Sequence, residues 1–368
     1  MPDIAVGNQV FDVAFHPSDD VVLAGLLTGQ VTATKYNPDG EHTPLWDIRP
    51  TKRSCRGLAF SYDGARIYSV SKDRAIHVLD PNLGTVLEAK LAAHESPINR
   101  VALAMPNMLA TGDDDGIIKL WDTRNLSEIR EYKQHFDFIS DFLWLEDKKH
   151  LVATSGDGTL SVMDVRASKT EPFAQSEDQE DELLSIVPIK GGQKVVVGTQ
   201  LGILSIFNRK SGWGDCVDRV PGHPQSIDAL VELTADVILT GSSDGLVRAV
   251  QILPSKLLGA VADHGEFPIE RLALDRNKHW LASASHDDVV KLTDVKDILE
   301  DSDDENEEGE GQSEGGSVED EDDSDSDAPP ATEAQRSGKR KKKNKEKPGE
   351  AKRSNSGTKA AKDFFSEL

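Results

Sequence analysis

The chain has 368 residues, 29% of them charged, and a net charge of −23. That length suits one large domain with a tail, and no run reaches the ~18 apolar residues needed to span a membrane. The two cysteines, Cys55 and Cys216, are too far apart for a zinc spacing or a disulfide framework, and no apolar leader precedes Phe11. The expectation is therefore a soluble protein of a reducing compartment.

In chain order, residues 10–15, 21–25 and 31–36 read as strands, with a His16-Pro17 turn after the first. Apolar residues crowd these short runs, and Gly, Pro, Asp and Ser separate them. The same three-strand reading returns at 57–60, 67–70 and 75–79. In the next stretch the strands at 109–112 and 117–121 flank the turn Asp113-Asp-Asp-Gly116. Glycine tolerates positive φ there and aspartate caps its own backbone. Strands follow at 139–144, 151–155 and 160–164, and then at 184–189, 195–198 and 203–207, after an acidic surface loop at 176–182. The last sets are 227–233, 237–240 and 246–250, then 269–274, 281–284 and 289–293.

Aligned on the turn, these sets place Thr28, Asp73, Asp115, Asp157, Leu201, Asp244 and Asp287 in phase, at intervals of 45, 42, 42, 44, 43 and 43 residues. A single hairpin has two unpaired edges and is marginal in water, so it needs copies of itself. The period is that of a four-stranded propeller blade. Gly222-His223 is an intact GH and Trp121-Asp122 an intact WD; His94, His135 and His264 stand near the GH position, and Asp80, Asp164 and Asp294 keep the aspartate of WD. On these residues the chain resembles the WD-repeat family. The resemblance implies an all-β, seven-bladed WD-repeat β-propeller over residues 1–297. The last repeat lacks a strand, and residues 4–6 (Ile-Ala-Val) are expected to pair with 289–293 and close the ring.

His94, Thr111 and Asp115 superficially suggest a nucleophile, base and acid, as do His223, Thr240, Asp244 and His264, Ser283, Asp287. A triad is defined by geometry, not by its residue list. An active site needs one such set, whereas a scaffold repeats it. In the WD-repeat family these positions form a buried network of His, Ser/Thr, Asp and Trp, with Trp121 as the fourth member here. No phosphate loop, HExxH or paired-cysteine motif is present, so no enzyme, cofactor, metal or small-molecule substrate is expected. Trp121-Asp-Thr-Arg124 matches the WDxR pattern of substrate receptors for cullin–RING ubiquitin ligases, and Met163-Asp-Val-Arg166 repeats the spacing. Arg124 and Arg166 are thus candidate adaptor contacts, set against a plainer role in pairing with local carboxylates.

Residues 300–335 carry 17 acidic and no basic side chains, and residues 336–368 carry 12 basic against 4 acidic, which leaves −14 on the first 299 residues. An acidic propeller argues against nucleic-acid binding by its whole surface, although a local basic patch is compatible with it. Residues 298–335 form an acidic tract expected to be disordered, because its composition has almost nothing to bury. Residues 336–362 are basic, and Lys339, Arg340, Lys341, Lys342, Lys343, Lys345 and Lys347 read as a nuclear or nucleolar address for importin, or as an arm for RNA phosphates. Residues 363–368 end the chain with Phe364 and Phe365, a peptide suited to anchoring a protein partner.

The opening Phe11-Asp-Val-Ala-Phe-His-Pro17, the Leu23-Ala-Gly-Leu-Leu-Thr-Gly29 segment and the Lys362-Asp-Phe-Phe-Ser-Glu-Leu368 ending narrow the resemblance. Together with the order of the tail, they are similar to the family of WD repeat-containing protein fifty-five, Jip-five in fungi. That likeness implies a nucleolar scaffold in ribosome biogenesis and ribosomal RNA production, with nucleolar and pre-ribosomal protein partners and no membrane. The alternatives are a ligase substrate receptor and a propeller that binds basic histone peptides in chromatin.

Overall fold

In the computed structural model the described residues are 3–296 and 298. They form seven four-stranded antiparallel sheets. Six blades take four consecutive strands each. The seventh takes its inner three from Ile269–Leu274, Trp280–Ser285 and Val289–Asp294, and its outer strand from Asp3–Ala5 at the other end of the chain. Asp3 lies opposite Lys291, Ile4 opposite Val290 and Ala5 opposite Val289. The closing strand therefore starts one residue earlier than the 4–6 read from sequence, and Val6 still donates to the Asp288 carbonyl at 3.1 Å.

The core lies between blades, not inside them, because a sheet buries its two faces against its neighbours. One cluster joins Leu23, Val31 and Ala33 of blade 1 to Cys55, Leu58, Ile67 and Leu79 of blade 2. Another packs Ile4, Trp280 and Leu292 of blade 7 against Val10, Val22 and Tyr36 of blade 1, so the closing strand also seals the last interface. Burial decreases outwards. In blade 2 the second strand, Ile67–Ser71, is buried throughout, whereas the fourth, Thr85–Lys90, is exposed throughout.

Each of the seven inner strands has a register shift just after its first residue, as between Val10 and Asp12 or Ile269 and Arg271. A bulge leaves one residue unpaired and re-aims its side chain. The bulge residues are Phe11, Arg56, Asn99, Ser140, Leu184, Asp228 and Glu270, at one end of the inner strands. The same end carries the turns between second and third strands and the loops that enter each blade. Antiparallel connectivity puts the other turns, and Arg124 and Arg166, at the opposite end.

Candidate functional site

The repeated polar residues do assemble, and they do so inside the blades. In blade 3 the His94 ring lies 2.8 Å through Nδ1 from Asp113 and 2.6 Å through Nε2 from the Thr111 hydroxyl, which also accepts the Trp121 indole N–H at 2.8 Å. The aspartate of this set is Asp113, not Asp115. Asp113 also accepts the backbone N–H groups of Asp115 and Ile117, which ties the turn to the histidine. Asp115 projects from the turn and accepts from the Ser96 hydroxyl.

Blade 7 has the three-membered version: His264 lies 2.6 Å from Asp287 and 2.7 Å from Ser283. In blade 6 His223 reaches Thr240 at 2.8 Å, but Asp244 pairs with Arg248 at 2.6 Å. Asp244 therefore does not hold His223, whose Nδ1 has no hydrogen-bond partner. Arg248 gives Asp244 a two-pronged charged partner, which a neutral imidazole cannot match. Blade 4 contains a set that the second-strand pattern does not reveal. His135 lies 3.1 Å from Asp157 and 2.7 Å from Ser161, which comes from the third strand, Leu160–Asp164.

Burial and local hydrogen bonds shift three members of these sets, His264, His223 and Asp157. Burial holds His264 below the usual histidine value against the pull of Asp287. His223 is lowered to about 4, by burial first and then by Arg248. Burial pushes the Asp157 carboxyl up, but the hydrogen bond and charge of His135, with the Phe136 and Thr159 donors, bring it down to about 2. The hydroxyl that a catalytic reading would make a nucleophile, Thr111, is 0% exposed. It already accepts the indole N–H. A substrate could reach it only by unpacking the blade, so the set behaves as a tie between strands.

A second group, unforeseen in the sequence, joins side chains of several inner strands. Arg271 of blade 7 donates to Asp141 of blade 4 at 2.6 Å, and its Nε lies 3.5 Å from Asp12 of blade 1. Asp12 accepts the Leu58 N–H of blade 2 at 2.6 Å, and Asp141 the Ile186 N–H of blade 5 at 3.4 Å. Arg100 donates to the Ser140 carbonyl at 2.5 Å. Burial drives the Asp12 carboxyl up against the opposing charges of Arg271 and Arg100. Arg271 is also shifted up: burial opposes the shift, but Asp141 and Asp12 outweigh it. The sequence signal was a charged residue two places after the first apolar one, in Val10-Phe-Asp12, Ile98-Asn-Arg100, Ile139-Ser-Asp141 and Ile269-Glu-Arg271.

Arg124 and Arg166 stand at equivalent places on adjacent blades. Each pairs with the aspartate that ends its own third strand, Arg166 with Asp164 at 2.8 Å and Arg124 with Asp122. Their side chains remain 71% and 62% exposed. The targeting residues Lys339, Arg340, Lys341, Lys342, Lys343, Lys345 and Lys347, and the anchors Phe364 and Phe365, lie outside the described residues.

Seven sheets in a closed ring, His–Ser/Thr–Asp ties within blades and the Trp121-Asp122 strand end define a WD-repeat β-propeller. The family model WDR55 matches residues 1–298. A WD repeat-containing protein JIP5 of Coprinopsis cinerea is 58% identical over 303 residues, covering 80% of this chain and 74% of the relative. WD repeat-containing protein 55 of Arabidopsis thaliana is 40% identical over 304 residues, with 82% and 84% covered, and that of Bos taurus 40% over 294, with 80% and 76% covered. The chain belongs to the WDR55 family.

Proposed function

We propose that the chain is a non-catalytic scaffold that works in the nucleolus, holding pre-ribosomal proteins together during ribosome biogenesis and ribosomal RNA production. One observation carries the reading: in a chain of the WDR55 family, the polar sets resembling catalytic triads are sealed within blades and tie strands together. What is left for function is surface and tail. The tail supports a nucleolar address through its compact lysine run, which attracts importin or RNA phosphates over a Debye length. The ligase reading has less support, because local aspartates neutralise Arg124 and Arg166. The histone reading is supported only by the net charge of the propeller.

Imaging tests the address. The tagged full chain should concentrate in nucleoli, and Lys341→Gln, Lys342→Gln and Lys343→Gln together should move it to the cytoplasm without lowering its melting temperature. Nucleolar retention of the triple variant would mean that the lysine run is not the address.

A further inference from the structure

Each blade ends in an outer strand whose far edge has no neighbour in its own sheet. Such an edge offers unpaired N–H and C=O groups to another extended chain, unless the sequence blunts it. Most of the outer strands here are blunted. That of blade 1 contains Pro44, and those of blades 4, 5 and 7 are only two, four and three residues long. In blade 3 the outer-strand carboxylates Glu128 and Glu131 are both held by Lys119 of the third strand, at 2.9 and 3.3 Å. In blade 6 two register shifts and Gly259 interrupt the strand Lys256–Asp263, and Lys291 of blade 7 donates to the Asp263 carbonyl at its end.

The outer strand of blade 2, Thr85–Lys90, is different. It has six residues and no proline, and every residue is exposed. Leu83 before it and Leu91 after it are the most exposed leucines among the described residues, at 71% and 72%, and Val86 and Leu87 are exposed between them. Its one register shift falls at Leu87, ahead of a regular run in which Glu88, Ala89 and Lys90 lie opposite Val78, His77 and Ile76. The turn leading into it is fixed. Trp46 of blade 1 donates its indole N–H to the Pro81 carbonyl at 2.7 Å, and a Cβ on Gly84 would lie 2.6 Å from the indole ring. Lys90 lies 6.0 Å over the Trp121 ring, and neither Glu88 nor Lys90 forms an ion pair among the described residues.

We propose that this strand pairs with the same strand of a second copy of the chain, antiparallel about a twofold axis through Ala89. Glu88 of each copy then lies opposite Lys90 of the partner subunit, and Leu87 opposite Leu91 of the partner subunit, each contact made twice by symmetry. Directly opposite side chains of an antiparallel pair stand about 5 Å apart, within reach for both contacts. Alternate residues point to opposite faces, so the charged pairs and the Ala89 methyl groups separate onto two faces of the joined sheet. The charge order selects both occupant and register. Moving the axis by one residue, to Glu88 or to Lys90, would set like charges face to face, which destabilises a pair. A contact of this kind uses the same patch on both copies, so it closes at two. One strand pair is small for a permanent interface, and the dimer is a reversible one formed at high concentration.

Self-association lies beyond the scaffold reading and does not rest on it. Sedimentation equilibrium of the full chain over a wide range of concentration should show the mass rising from one chain to two and stopping there. Glu88→Lys alone sets lysine opposite lysine, and Lys90→Glu alone sets glutamate opposite glutamate, so each should weaken dimerisation by about tenfold. An equimolar mixture of these two variants regains two opposite-charge pairs and should dimerise as wild type does. Leu87→Lys with Leu91→Lys should abolish the dimer, whereas Ile129→Lys, on the outer strand of blade 3, should leave it unchanged. Melting curves would establish that each variant folds. The proposal is overturned if the chain stays monomeric at every concentration, if its mass climbs past two chains, if the charge reversals leave association unchanged, or if their mixture does not regain what each has lost.

Discussion

Three consecutive aspartates, Asp113, Asp114 and Asp115, have three different fates. Asp113 holds His94 and the turn, Asp114 holds Arg56, and Asp115 takes the Ser96 hydroxyl at the surface. The sequence reading placed the network in this turn but took Asp115 as its aspartate where the structure has Asp113, because a register difference of two residues depends on how the loop from His94 enters the blade. Asp113→Ala should cost roughly 3 kcal/mol or more, since it strands His94 and two backbone N–H groups. Asp115→Ala should cost under about 1 kcal/mol, as an exposed pair would. Urea unfolding of the two variants would decide, and equal losses would move the network back to Asp115. The histidines add a pH dependence. Burial lowers His77, His150, His223 and His264. The unfolded chain takes up these protons near pH 6.5, whereas folded His223 resists to about 4. Their contribution is therefore complete above pH 6.5 and is lost as pH falls toward 4, with His223 supplying of order 2 kcal/mol. Unfolding free energies measured between pH 7.5 and 4 should fall, and His223→Gln should flatten the slope. An unchanged slope would show that His223 takes up its proton in the fold at the same pH as in the unfolded chain.

The blades divide into strands that could be read from sequence and strands that could not. The inner three of each blade are apolar and buried, and their crowding, punctuated every 42–45 residues, gave the count of seven. The outer strands, such as Thr85–Lys90 and Ser127–Tyr132, are mostly exposed and carry little apolar periodicity. They are held by backbone hydrogen bonds to the third strand, which leave no side-chain pattern. The closing strand was found by another argument, the need to pair an open edge, which placed it at residues 4–6, one residue later than the observed Asp3–Ala5. Deleting residues 1–7 should remove the burial of Ile4 and three strand pairs, a loss of roughly 4 kcal/mol. The melting temperature of this deletion is the check, and an unchanged value would mean that the ring closes without it.

At the scale of the molecule, the Arg271–Asp141 pair joins blades 7 and 4 across the ring, between residues 130 apart in sequence. Its members were visible as charged interruptions of apolar strands. Only the closed ring brings them together, which is why strand-by-strand reading missed them. With ion pairs joining the inner strands and the triad-like sets enclosed in blades, the proposed scaffold role rests on the outer surface and the tail. The most direct measurement is affinity purification of the tagged full chain, with and without RNase, beside a Phe364→Ala, Phe365→Ala variant. The scaffold account predicts that pre-ribosomal proteins co-purify, persist after RNase, and are depleted in the phenylalanine variant with little change on raising salt. Recovery of a cullin adaptor or of histones in place of pre-ribosomal proteins would contradict it.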